Sequence, residues 1–274
     1  MATTLEFKIS YNGGLAEDGK LNIYDAAESL RGLSRALAIT THAFINKEDV
    51  RTRADRVHGA EIYLHGPQRG SFTEIVSVAL ENPVASTIGL SVVSSAFYDF
   101  MKWTWSAALG QAPHQPATHY VRSYTDRQEP FLGEISSGLE PALHDLHRPI
   151  HRDRPMTISV LRPRVGEILR LDDASMAYVT VTPAPELVVD LLGNVTKYNR
   201  LSGFGRLFSD DEQRTVPFSL DPRLTGRERA RLTWSMHQPS RGFDGKLLLD
   251  VQRFFTARGD LKRYVITKVR RAPA

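Results

Sequence analysis

The segment HDLHRPIHRDR sets His144, His147 and His151 at i, i+3 and i+7. On one helix face, imidazoles at that spacing could share a transition metal. Pro149 ends or kinks such a helix, and the glutamate base of an HExxH arrangement is absent. The three histidines are therefore read as a solvated helix end rather than a metal site, and a metal-dependent enzyme ranks behind two binding functions. Other catalytic patterns are missing too. There is no GxGxxG after a strand, no GxxxxGK[ST] phosphate loop and no GxSxG elbow, and no pair of carboxylates is singled out as acid and base. With no cysteine in the chain, disulfides, thiolate metal sites and thiol nucleophiles are excluded. The expectation is a protein that is not an enzyme and carries no cofactor.

Binding chemistry is better represented. GNVTKYNRLSGFGRLF, residues 193–208, combines Lys197, Arg200 and Arg206 with Tyr198 and Phe204, and Arg214 with Phe218 follows in RTVPFSL. Glycines allow a twisted hairpin to bend, while outward aromatics stack on unpaired bases between cations that hold phosphate. The stretch resembles the start of a cold-shock domain, a five-stranded barrel of the OB class that typically reads G-x-V-K-W-F-N-x-x-K-G-F-G-F-I. Gly193, Val195, Asn199, Gly203, Phe204 and Gly205 coincide with that pattern, Tyr198 stands at its aromatic before the asparagine, and Phe218-Ser219 fits the following V-F-V-H-F-S. Lys197 replaces an exposed tryptophan, Arg206 a phenylalanine, and Thr215 and Pro217 a phenylalanine and a histidine. The resemblance implies RNA or DNA as partner, with Lys197, Arg200, Arg206 and Arg214 on phosphate and Tyr198, Phe204 and Phe218 stacking.

Charge points the same way. The chain of 274 residues has a formal net charge of +4, yet Leu187–Ala274 holds 17 Lys+Arg against 9 Asp+Glu, a net +8, and residues 1–186 hold 18 against 22, a net −4. A basic C-terminal third is the electrostatic footprint expected of a polyanion binder. Hydrophobic content of 41% with 24% charged residues is that of an ordered globular protein. The opening MATTLEFKIS lacks a basic stretch followed by an apolar one, so a cytoplasmic protein is expected.

These residues need elements to position them. TLEFKISYN alternates Leu5, Phe7, Ile9 and Tyr11 with polar residues and reads as a half-buried strand. Apolar residues at three-to-four spacing from Leu30 to Phe44 predict a helix over about 24–46. AEIYLHG and SFTEIVSVAL read as strands joined by a turn at Arg69-Gly70. Val84–Gly110 reads as one long apolar helix; its uncharged part, Val84–Tyr98, is shorter than the roughly 20 residues a bilayer needs, so stable membrane insertion is not expected. Small residues along it predict self-association through Gly89, Val92, Val93 and Ala96. Residues 111–126 read as an exposed connection and LGEISSGLEPALHDLH as helical. ASMAYVTVTPAPELVVDLLGNV, RARLTWSMH, GKLLLDVQRFF and KRYVITKV read as strands.

The expected architecture is α+β, with an N-terminal strand-helix-strand domain (1–183) that includes an apolar helix at 84–110, followed by a basic C-terminal OB or cold-shock-like barrel (184–274). As a whole the chain is also similar to an uncharacterised type of bacterial two-domain protein that joins a YNGG…YDAAESL region to a small barrel. That resemblance implies a component of a multi-protein bacterial system such as antiviral defence. The first functional expectation is nucleic-acid binding; the alternative is a homo-oligomeric scaffold or adaptor that holds a protein partner.

Overall fold

A computed structural model describes residues 3–46, 50, 57–65, 73–89, 91–125 and 129–273. The chain divides into two compact units, Met1–Val179 and Thr180–Ala274. In the first, β1 (Thr3–Asn12) leads to α1 (Ile23–Asn46), then β2 (Ala60–Leu64), β3 (Thr73–Leu80), α2 (Asn82–Ile88), α3 (Val93–Ala108), α4 (His119–Thr125), α5 (Glu129–Leu146), α6 (Arg148–Arg152), β4 (Thr157–Arg162), β5 (Gly166–Leu171) and α7 (Asp173–Val179). The strands form an antiparallel sheet in the order β2-β3-β1-β4-β5. The turn expected at Arg69-Gly70 lies outside the described residues.

Alternation in β1 does what period-two patterning requires. Leu5, Phe7, Ile9 and Tyr11 are all buried in the core of this unit, together with Leu33, Leu37 and Phe44 of α1, Phe97, Phe100 and Trp105 of α3, and Leu139 and Leu143 of α5. Several polar groups inside it are paired, although the buried Thr41 hydroxyl has no hydrogen-bond partner among the described residues. The Trp105 indole donates to Thr40 Oγ1 at 2.8 Å, Tyr11 and Ser29 share a hydroxyl bond of 3.0 Å, and Tyr98 donates to the Glu6 carbonyl at 2.5 Å.

The long apolar helix expected over 84–110 is two helices, α2 and α3. Gly89 ends α2 at φ 107°, a conformation that side-chain-bearing residues rarely adopt. Val93 and Ala96, expected at an oligomer face, are fully buried in this unit's own core, whereas Val92 is exposed and Gly89 half-buried. The predicted self-association surface is thereby corrected: two of its four residues have no surface to offer. Among the described residues no helix is long and apolar enough to cross a membrane.

The second unit contains β6 (Val181–Tyr198), β7 (Gly205–Ser209), β8 (Arg214–Leu220), α8 (Gly226–His237), β9 (Leu247–Thr256) and β10 (Leu261–Arg271). They close a barrel in the order β10-β8-β7-β6-β9. β8 and β10 pair in parallel and the other neighbours antiparallel, with the helix inserted between the third and fourth strands, as in an OB-type barrel. Closure removes the sheet edges and encloses Leu207, Val216, Phe218, Leu249 and Ile266.

Two segments read as strands are helical. RARLTWSMH lies in α8, which begins with a capping box: Thr225 Oγ1 accepts from the Glu228 N–H at 3.3 Å and Glu228 Oε2 accepts from the Thr225 N–H at 3.0 Å. ASMAYV lies in α7, where Asp172 and Ser175 cap one another, each side-chain oxygen accepting from the other's backbone N–H at 2.9 and 2.8 Å.

Candidate nucleic-acid interface

The hairpin that joins β6 to β7 turns over Asn199–Phe204. Asn199 N–H donates to the Phe204 carbonyl at 2.8 Å and Gly203 N–H to the Asn199 carbonyl at 2.9 Å, while Asn199 Oδ1 accepts from Leu201 N–H at 2.9 Å. Gly203 supplies the positive φ, 75°, that the turn needs. Gly205 serves close approach instead. A Cβ there would press into the Phe218 ring and lie 2.5 Å from the Lys197 carbonyl oxygen.

That ring explains where the aromatics go. Phe218 is fully buried and Phe204 nearly so, and Tyr198 stacks on Phe218 with centroids 6.2 Å apart and planes 28° from parallel. The expectation that Phe204 and Phe218 stack on bases is corrected: both are core residues, because the alternation that buries Leu207 and Val216 turns the Phe218 position inward as well. Tyr198 is half-buried, and burial raises its phenol pKa against the lowering effect of Arg229 and Arg200.

The cations fare differently. A β-bulge between Val195 and Lys197 brings Lys197 directly across from Arg206, which in turn faces Pro217 on β8. Both cations are half-buried. Desolvation first, and then the charge of Arg206, hold the Lys197 ammonium pKa below its ordinary value. Arg200 is exposed on the turn, and Arg214, exposed at the start of β8, donates to the Leu261 carbonyl at 2.8 Å. The structure thus unites Lys197 and Arg206 on one face, places Arg200 beyond it on the turn and sets Arg214 at the far end of β8.

Sequence reasoning missed Phe208. It is two residues from Arg206 on β7, half-buried, and pairs with Asn194 on one side and Thr215 on the other. Period-two alternation around Leu207 was the signal that puts Arg206 and Phe208 on the same outward face. The resulting surface is a cation pair, one aromatic ring and hydrogen-bonding side chains at Asn194 and Thr215.

The histidines of the first unit do not converge. His147 is fully buried, with Nδ1 donating to the Leu143 carbonyl at 2.6 Å and Nε2 accepting from the Ser175 hydroxyl at 2.8 Å. Desolvation lowers its pKa to about 4, so it is a neutral core residue. His144 and His151 are exposed. Among the described residues no group of three or more His, Asp or Glu is arranged to hold a metal.

No curated protein and no solved structure matches the chain. One family model, a domain of unknown function designated DUF7946, matches residues 7–180. The match ends where the first compact unit ends and leaves the barrel outside it. The chain belongs to the DUF7946 family through its helix-covered sheet, with a closed five-stranded barrel following that domain.

Proposed function

We propose that this chain is a non-enzymatic nucleic-acid-binding protein that contacts a single strand of RNA or DNA through the outward face of β6, β7 and β8. The observation that carries the reading is Lys197 set directly across from Arg206. Like charges at opposed positions destabilise a sheet, and a phosphate lying between them turns that cost into binding energy. Phe208 on the same face supplies a surface for one base. The hairpin's likeness to the cold-shock pattern and the 17 Lys+Arg against 10 Asp+Glu of Thr180–Ala274 support the same partner. In a multi-protein bacterial system, defence among them, the barrel would bring its companion domain to nucleic acid.

The test is fluorescence polarisation of labelled single-stranded and duplex oligonucleotides with the nuclease-treated full chain. Single strands should bind the wild type more tightly than duplexes, and Lys197→Glu/Arg206→Glu should abolish that binding while leaving the unfolding transition in place. A folded double variant that binds as the wild type does removes the proposed site.

A further inference from the structure

The loop between α8 and β9 carries a second aromatic at the edge of the candidate interface. Phe243 is 62% exposed, and among the described residues no other ring and no cation packs on it. A single exposed apolar side chain is ordinary on a protein surface. What sets this one apart is where its backbone is fastened.

Asn194 of β6 stands directly across from Phe208 of β7 and lies between the buried Gly193 and Val195, so its side chain shares the outward face with Phe208. The Asn194 amide donates to the carbonyl of Asp244, the residue after Phe243. The loop runs into β9, which pairs with β6 on the side away from β7. Phe208 and the Phe243 loop therefore flank Asn194 from opposite sides. The loop is also tied to α8. Phe243 N–H donates to the Gln238 carbonyl at 3.1 Å, and Ser235 Oγ, which accepts from Val195 N–H at 3.1 Å, donates to the Gly245 carbonyl at 2.5 Å. Gly242 and Gly245 supply positive φ values of 78° and 63°. The backbone is held while the side chain stays in water.

The charges near the loop are balanced. Lys246 Nζ donates to both carboxylate oxygens of Asp210, at 2.6 and 2.7 Å, and so neutralises the acid at the end of β7. Arg241 and Asp244, both exposed, offset each other on either side of Phe243. The loop thus offers the interface a ring rather than a phosphate site, whereas Lys197 and Arg206 offer charge.

We propose that Phe243 is a second base-stacking residue of the barrel, so that the ligand is a strand with at least two unpaired bases, one against Phe208 and one against Phe243. This inference rests on the proposed function and adds to it that bases, and not phosphates alone, are recognised. The probes are a labelled oligothymidylate and an abasic strand of equal length, which has the same phosphates and no bases. Fluorescence polarisation with the full chain is read across a salt series. Phe243→Ser should weaken oligothymidylate binding by at least about fivefold, leave the affinity for the abasic strand unchanged, and keep the wild-type salt slope, because stacking releases no counterions. Phe243→Trp should bind at least as tightly as the wild type, which separates loss of the ring from a disturbed loop. A folded Phe243→Ser that binds oligothymidylate as the wild type does overturns the inference and leaves the Lys197–Arg206 site standing, and so does an equal loss on both strands. A wild type that binds neither strand, or binding that Lys197→Glu/Arg206→Glu leaves intact, overturns the proposed function and this inference with it.

Discussion

The two units use their charged side chains in opposite ways. In the DUF7946 unit, charges close on partners far away in sequence: Asp25 of α1 lies 3.1 Å from Arg148 and 3.6 Å from Arg152 of α6, and Asp145 of α5 lies 3.2 Å from Arg31 and Arg35 of α1. These pairs join helices. The barrel also has such pairs, Lys246 with Asp210 and Arg270 with Asp190 and Asp250, yet on the β6–β7 face it sets two cations against each other. Under the proposed function, that opposition is where a phosphate would bind. In the first unit the ion pairs tie helices together; on the β6–β7 face two cations stand opposed, and the proposed function gives them a phosphate to share.

That contrast is open to attack at several points. The largest effect should come from Gly205→Val. The new side chain collides with the Phe218 ring and the Lys197 carbonyl, and overpacking of this kind costs about 3 kcal/mol. Hydrogen exchange should show it confined to the barrel strands. Gly203→Ala meets nothing closer than 3.7 Å and should cost only about 1 kcal/mol through its positive φ; equal costs at the two positions would contradict the assignment of separate roles.

Next comes acid sensitivity of the first unit. His147 has its folded pKa lowered to about 4 from 6.5, so between those values the unfolded chain binds more protons. Stability is full above pH 6.5 and falls as pH drops toward 4. Between pH 7.5 and pH 5 the loss should be about 2 kcal/mol, read from urea midpoints. His147→Gln should flatten that dependence, and an unchanged pH profile would take the burden off His147.

Smaller effects follow. Thr225→Ala removes one half of the capping box that starts α8 and should cost about 1 kcal/mol, measured by thermal unfolding. Lys197→Thr relieves the opposed charges and should raise barrel stability by about 0.5 kcal/mol while weakening nucleic-acid binding. A variant both less stable and unaltered in binding would place Lys197 among the structural cations.

Much of this fold was legible because it rests on period and capping. The alternation of Leu5, Phe7, Ile9 and Tyr11 gave β1, the spacing of Leu33, Leu37 and Phe44 gave α1, and the glycines of GFGRLF gave the β6–β7 hairpin. Readings failed where two signals competed. ASMAYV and RARLTWSMH carry strand-like composition, but the caps at Asp172-x-x-Ser175 and Thr225-x-x-Glu228 start helices there. Val84–Gly110 looked continuous because hydrophobicity says nothing about φ, and Gly89 breaks it. At the candidate site the register sets two of the four expected cations, Lys197 and Arg206, together and turns the expected aromatics Phe204 and Phe218 inward: a resemblance places residues along the chain, but only the register of β7 against β8 decides that Phe218 faces the core and Phe208 faces out.

The most direct test of the central claim is the salt dependence of single-stranded oligonucleotide affinity for the wild type and for Lys197→Thr/Arg206→Thr. If these cations hold phosphates, log K falls linearly with log salt for the wild type, and the slope shrinks by about 0.7 for each phosphate that the variant no longer neutralises. A wild-type affinity insensitive to salt, or a slope that the double substitution leaves unchanged, contradicts the account.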